Sequence, residues 1–332
     1  MRVPYYEMQQ QFLHVLVKYG LSTDRAELCA TLFAEASLDG IPSHGLNRFP
    51  LFLEFIRKGY IHVDAQPRLT ASFGASERWD GGSGPGNLNA HASMKRAIEL
   101  AKLHGMGCVA LSNTNHWMRG GSYGWQAAEA GCIGICWTNT NPNLPAWGST
   151  EAKVGNNPIV LAVPRPDGHL VLDMAMSQFS YGQLTNYSLR GKQLPVDGGF
   201  DNEGNATRDP GAILQSQRPL PIGFWKGSGL ALMLDMIGMV LSGGKSTRDI
   251  GKLGVELQVS QVFLAFDTQT FSDYNELTQR INETICDIHS ANPVSPQDNI
   301  RYPGEDTLRR RLENLRHGIP VDAAIWQQML ES

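Results

Sequence analysis

Helical periodicity at both ends of the chain, with strand-like patterning between them, constrains the fold more than any single motif. Phe12, Leu13, Leu16 and Val17 form one apolar stripe that stops at Gly20, and Ser22 opens a second helix carrying Ala26, Cys29, Ala30 and Phe33. At the far end Tyr274, Leu277, Ile281 and Ile285 repeat that spacing, and two shorter helices follow Pro303-Gly304. Between the ends the period changes. A glycine-rich loop at 80–87 leads into a helix bearing Met94, Ala97, Ile98 and Ala101. Buried strands follow at 108–111 and 133–137, separated by a polar loop with His116 and a short helix. Runs at 159–163 and 169–172 flank Pro164-Arg165-Pro166-Asp167-Gly168, a hairpin signal, and 258–266 reads as another strand. The segment 223–229 launches a helix that is apolar all round, which implies burial. The pattern predicts an α+β protein whose two ends pack together.

The stretch from Asp39 to Pro50 is the densest in chemistry. Asp39-Gly40 stops one helix, and Ser43 reads as the N-cap of the next, with Phe49, Phe52, Leu53 and Ile56 on its buried stripe. On that helix His44 and Arg48 share a face near its positive end. A titratable imidazole beside a fixed cation suits a site that protonates an oxygen while holding a carboxylate. Pro50 conflicts with a helix begun at Ser43, so Asn47 is the alternative cap.

Composition excludes several classes. The 332 residues carry a net charge of −4 with no long basic run, which argues against nucleic-acid and membrane-surface partners. Five scattered cysteines read as small core residues of a reducing compartment, and without a signal segment or a membrane-length apolar run the expected location is the cytoplasm. The nine histidines are dispersed, so no metal site is expected. Gly105-x-Gly107-x-x-Ala110 matches a dinucleotide fingerprint but follows a helix and enters a strand, the reverse of the required order. Gly244-Lys245-Ser246 ends like a phosphate loop, yet Met239 stands where its first glycine belongs.

Polar constellations remain. Ser43-His44-Gly45 with Arg48, Asn115-His116-Trp117, Pro145-Ala146-Trp147-Gly148, Gly155-Asn156-Asn157-Pro158, Asp173-Met174-Ala175-Met176-Ser177, Trp225-Lys226-Gly227 and Pro303-Gly304 follow one another in that order. In this the chain resembles the malate/L-lactate dehydrogenase family, which is distinct from the Rossmann-type enzymes, over nearly its whole length. Asn156 stands where relatives usually carry Thr, and Asn143-Leu144 before Pro145 is variable.

The resemblance implies a non-Rossmann cofactor domain with a large, mostly antiparallel or mixed sheet over 71–272. A helical domain would be built from 1–70 with 273–332. It implies a homodimer that uses NAD, with NADP as the alternative, to reduce a small-molecule 2-keto sugar acid. His44 would be the proton donor, Arg48 would clamp the carboxylate, and Ser43 and His116 would bind substrate. The cofactor would contact Gly168, His169, Leu170, Val171, Leu172, Asp173 and Met174, the pair Phe224 and Trp225, and Gly304, Glu305 and Asp306.

Overall fold

The computed structural model describes residues 1–295 and 299–331. At its centre lies a seven-stranded mixed sheet. Its strands are β1 (Arg68–Phe73), β2 (Ser76–Asp80), β3 (Met106–Thr114), β4 (Cys132–Thr138), β5 (Ile159–Val163), β6 (Leu170–Met174) and β7 (Val259–Asp267). Their spatial order is β1-β2-β3-β7-β4-β5-β6, and only β2 and β3 run parallel. The late strand β7 is inserted between β3 and β4, so the sheet closes only when that distant segment arrives.

Alternation along β3 explains how the sheet is covered. Val109 and Leu111 face a cluster with Met94 and Ala97 of α4 (Gly86–His104) and Tyr123 and Trp125 of α5 (Gly121–Glu129). Cys108 and Ala110 face the other side, where Ala231 and Leu234 of α8 (Trp225–Ser242) pack. A sheet buried on both faces needs continuous apolar strands, which is why period 2 is faint in this part of the sequence.

The remaining helices are α1 (Tyr5–Lys18), α2 (Thr23–Leu38), α3 (Phe49–Arg57), α6 (Tyr181–Leu189), α7 (Pro210–Ser216), α9 (Thr247–Gly251), α10 (Tyr274–Ser290), α11 (Glu305–His317) and α12 (Ala323–Leu330). Phe12, Phe33, Phe49 and Phe52 form an aromatic knot with centroid spacings between 4.4 and 6.5 Å. Burying each such ring is worth about 1.5–3 kcal/mol. Ile319, Trp326 and Met329 join this core, and Arg2–Val3 pairs antiparallel with Ile319–Pro320, so the chain ends do meet. By contrast α10 buries only Ile285 and lies against the β5–β6 hairpin, where the Tyr274 hydroxyl donates to Pro164 O at 2.7 Å.

Three expectations are corrected. No α-helix begins at Ser43: two 3-10 turns, Pro42–His44 and Leu46–Arg48, precede α3, and Pro50 takes an early helical position where its missing N–H costs nothing. The helix after 223–229 is half exposed, because only its small-residue side, including Gly227, Ser228, Ala231 and Gly238, meets the sheet. Leu232, Met233 and Val240 stand in solvent at 47%, 54% and 61% exposure. Of the cysteines, Cys286 is exposed on α10 while the other four are buried. No helix among the described residues is long and apolar enough to cross a membrane.

Candidate active site

The turn that carries His44 is pinned from behind. A side-chain carbon on Gly45 would come within 2.1 Å of Ser37 Oγ and 2.8 Å of the Phe33 carbonyl, so only glycine lets the chain lie this close to α2. The Leu46 N–H donates to Ser37 Oγ at 2.9 Å and completes the fastening. The turn therefore presents Ser43, His44 and Arg48 outward without a helix beneath them.

The His44 ring stacks on His116, with centroids 5.8 Å apart and planes at 22°. Its Nδ1 pairs with Ser43 Oγ at 3.1 Å. His116 Nδ1 accepts the Met118 N–H at 3.0 Å, so a neutral His116 carries its proton on Nε2. Neither Nε2 has a hydrogen-bond partner among the described residues. The guanidinium of half-buried Arg48 makes no hydrogen bond or ion pair among the described residues, leaving its whole fork for a ligand.

Burial pushes His44 down to about 4; Asp173 opposes that, while the Arg48 and Arg119 cations reinforce it. His116 is pushed well below its usual value by burial, with Arg48 and His44 adding to the effect. Burial also lowers Arg48, and the Glu256 carboxylate opposes it. Both imidazoles are thus neutral in the free protein at pH 7.

Further carboxylates complete the site. Asp173, named in the sequence as a cofactor contact, lies in β6 and accepts the first N–H of α5, from Gly121, at 2.7 Å. Asp39, read only as a helix stop, is fully buried and takes Arg311 of α11 at 2.6 and 2.8 Å together with Arg119. Glu256 sits near Arg48 and accepts the Asn141 N–H at 3.2 Å. No local pattern marks Glu256, because its partners come from distant parts of the chain.

The expected cofactor residues divide. Val171 N donates to Pro303 O at 2.8 Å, which brings β6 against the turn that holds Gly304, Glu305 and Asp306. The Val171 side chain belongs to the core, and the Gly168 carbonyl and His169 ring are engaged by Arg165. Leu170, Leu172 and Met174 are only partly buried, and Asp173 is exposed. The Asp306 carboxylate is held by Arg301, Arg309 and Arg310, and Glu305 pairs with His289. Phe224 and Trp225 are 68% and 63% exposed, Phe224 packing edge-on against Trp147. Among the described residues no hydrogen bond or ring contact joins that pair to His44 and His116. Gly227 is tight against the Ile222 carbonyl, at 2.2 Å from where a side-chain carbon would stand, so the chain itself, not a ligand, excludes a larger residue there.

Comparison with known proteins decides the kinship. The malate/L-lactate dehydrogenase family model matches residues 3–330. The chain belongs to that family. It is 46% identical over 330 residues to 2,3-diketo-L-gulonate reductase of Pasteurella multocida, covering 99% of each chain, and 44% identical over the same length to the Escherichia coli protein of that name. The structure superposes on malate dehydrogenase of Entamoeba histolytica with a TM-score of 0.94 at 25% identity, covering 100% of this chain and 96% of that one. Malate dehydrogenase of Pyrococcus horikoshii gives 0.88 at 29% identity, covering 100% and 94%.

Membership in a dehydrogenase family implies a nicotinamide cofactor, and the residues fit one. The Asp306 and Thr307 N–H groups at the start of α11 make no hydrogen bond among the described residues, as phosphate recognition requires. Ser177 Oγ, buried beside Pro221, is likewise without a partner among the described residues, and two exposed aromatic rings follow at Phe224 and Trp225.

Proposed function

We propose that the protein is a 2,3-diketo-L-gulonate reductase, forming 3-dehydro-L-gulonate at the expense of NADH in the cytoplasm. The observation that carries this is the pairing of two stacked imidazoles and a guanidinium, with neither Nε2 nor the guanidinium bonded among the described residues. Arg48 binds the substrate carboxylate through two parallel N–H bonds, which fixes the adjacent keto carbon. His44 protonates the keto oxygen, and His116 donates from Nε2 to the same oxygen or its neighbour. Residues of β6 and the 303–306 turn would hold the nicotinamide cofactor, which when bound would supply the hydride. Asp173 steadies the imidazolium that His44 must become.

Substrate binding itself raises the acidity range of His44. Burial is the main cause of the depression, and a carboxylate on Arg48 offsets one of the two cations that add to it, which favours the protonated form when substrate is bound. The proposal includes a homodimer, supported by the exposed apolar side of α8, which a soluble monomer rarely leaves uncovered. It also includes the division into a helical domain (1–70 with 273–332) and a β-rich domain (71–272), supported for 1–70 and the last helix by a core separate from that of the sheet, while α10 lies against the β5–β6 hairpin. The test is oxidation of NADH and of NADPH with 2,3-diketo-L-gulonate beside pyruvate and oxaloacetate. Preference for the sugar acid with NADH is expected; turnover of oxaloacetate or pyruvate alone would overturn the substrate assignment.

A further inference from the structure

Beyond the reacting centre, hydrogen bonds join three amides and one carboxylate into a polar wall. Asn143 Oδ1 accepts the Asn156 N–H at 2.7 Å, and Asn143 Nδ2 donates to Asn156 Oδ1 at 3.2 Å. The Thr140 hydroxyl lies 3.3 Å from the same Asn156 oxygen. The Asn143 Nδ2 donor therefore fixes which end of the Asn156 amide is oxygen, and its NH2 is left over. Asn141 Nδ2 likewise donates to nothing among the described residues. Glu256 Oε2 accepts the Asn141 N–H, and its Oε1 accepts nothing among the described residues. All four side chains are only partly buried.

This wall joins the reacting centre at both ends. At one end Glu256 acts electrostatically on Arg48. At the other the Tyr181 hydroxyl donates to Asn143 O at 3.2 Å, and a side-chain carbon on the next residue, Gly182, would stand 3.4 Å from Ser43 Oγ. A plain hydrocarbon tail would leave these partly desolvated amides unpaired, which is costly. A tail bearing hydroxyl groups offers each of them a partner, because a hydroxyl both accepts from an amide N–H and donates to a carboxylate.

We propose that Asn141, Asn156 and Glu256 bind the hydroxyl groups of the substrate tail, with Asn143 as the positioning residue that orients Asn156. The inference rests on the reductase reading and adds the source of its selectivity for polyhydroxylated 2-keto acids over short ones. Burial raises the Glu256 carboxyl, countered by Arg48, so the group keeps its charge best while Arg48 is close.

The experiment compares kcat/KM for 2,3-diketo-L-gulonate and for pyruvate in the wild type, Asn156→Leu, Asn141→Leu and Glu256→Gln. NADH fluorescence titration and circular dichroism serve as controls of cofactor binding and fold. The ratio of the two constants should fall about 10- to 100-fold in each variant, the range for losing one hydrogen bond to a partly buried amide or carboxylate. The loss should lie mainly in KM for the sugar acid. Equal losses on both substrates would show that these residues only hold the centre together, and an unchanged ratio would show that the tail binds elsewhere; either overturns the inference. Wild-type protein that oxidised NADH with neither substrate would instead remove the reductase reading, and this inference with it. Glu256→Gln keeps size and an acceptor oxygen, so it remains informative if a leucine variant fails to fold.

Discussion

At the scale of single residues, the depressed pKa of His44 makes a definite claim about pH. In the free protein the imidazole is pushed to about 4, so the acid form needed for reduction is lost as pH rises above that value. With a carboxylate on Arg48 the group protonates at higher pH. The expected outcome is that kcat for reduction holds to higher pH than kcat/KM, while oxidation, which needs the neutral base, strengthens as pH rises. Coincident profiles for kcat and kcat/KM would remove Arg48 from control of His44. The same depression bears on stability: a histidine normally titrating near 6.5 must stay neutral in the folded state, so its contribution is present above 6.5 and lost as pH falls toward about 4. Arg48 makes a second claim. Arg48→Lys keeps the charge but not the fork, so kcat/KM for 2-keto acids should drop at least ~10-fold, with NADH affinity unchanged in a fluorescence titration. Normal turnover by the Lys variant would make this cation peripheral.

At the scale of elements, the buried carboxylate of Asp39 ties three of them together. It ends α2, takes Arg311 from α11, and takes Arg119 from the loop after His116. Arg311 in turn lies over the Trp125 ring of α5, 5.0 Å from its centroid. Removing a buried anion that serves two guanidinium groups leaves Arg119 charged and unpaired in the interior. Asp39→Ala should therefore cost about 3–5 kcal/mol, read as a shift of the urea midpoint without NADH. A shift below ~1 kcal/mol would mean that water replaces the carboxylate there. How much of this was legible in sequence differs between elements. The stripes of α1, α2, α4 and α10 and the β5–β6 hairpin were visible because local spacing sets them. The geometry around His44 was not, since Pro50 and the close approach of Gly45 to α2 break the helix that the spacing implied. His44 and Arg48 were named from their spacing and, with His116, from motif order, but their juxtaposition depends on the turn, and Glu256 left no local trace.

At the scale of the whole molecule, the α8 side that bears Leu232, Met233 and Val240 has no cover in the single chain. If it is the dimer interface, Met233→Glu should convert the protein to a monomer by sedimentation while leaving circular dichroism unchanged, because the position contributes little to the chain's own core. A variant that sediments like the wild type would place the interface elsewhere. What the sequence by itself determined is the helical ends, the β-rich middle and the order of the motifs that mark the family, because periodicity and motif order are local properties of the chain. Only the tertiary structure decided that β7 enters between β3 and β4, that Asp173 and Arg119 set the field at His44, and that Glu256 faces Arg48. Those outcomes depend on which distant segments share a buried volume, and electrostatic shifts exist only once burial has removed the water that would screen them.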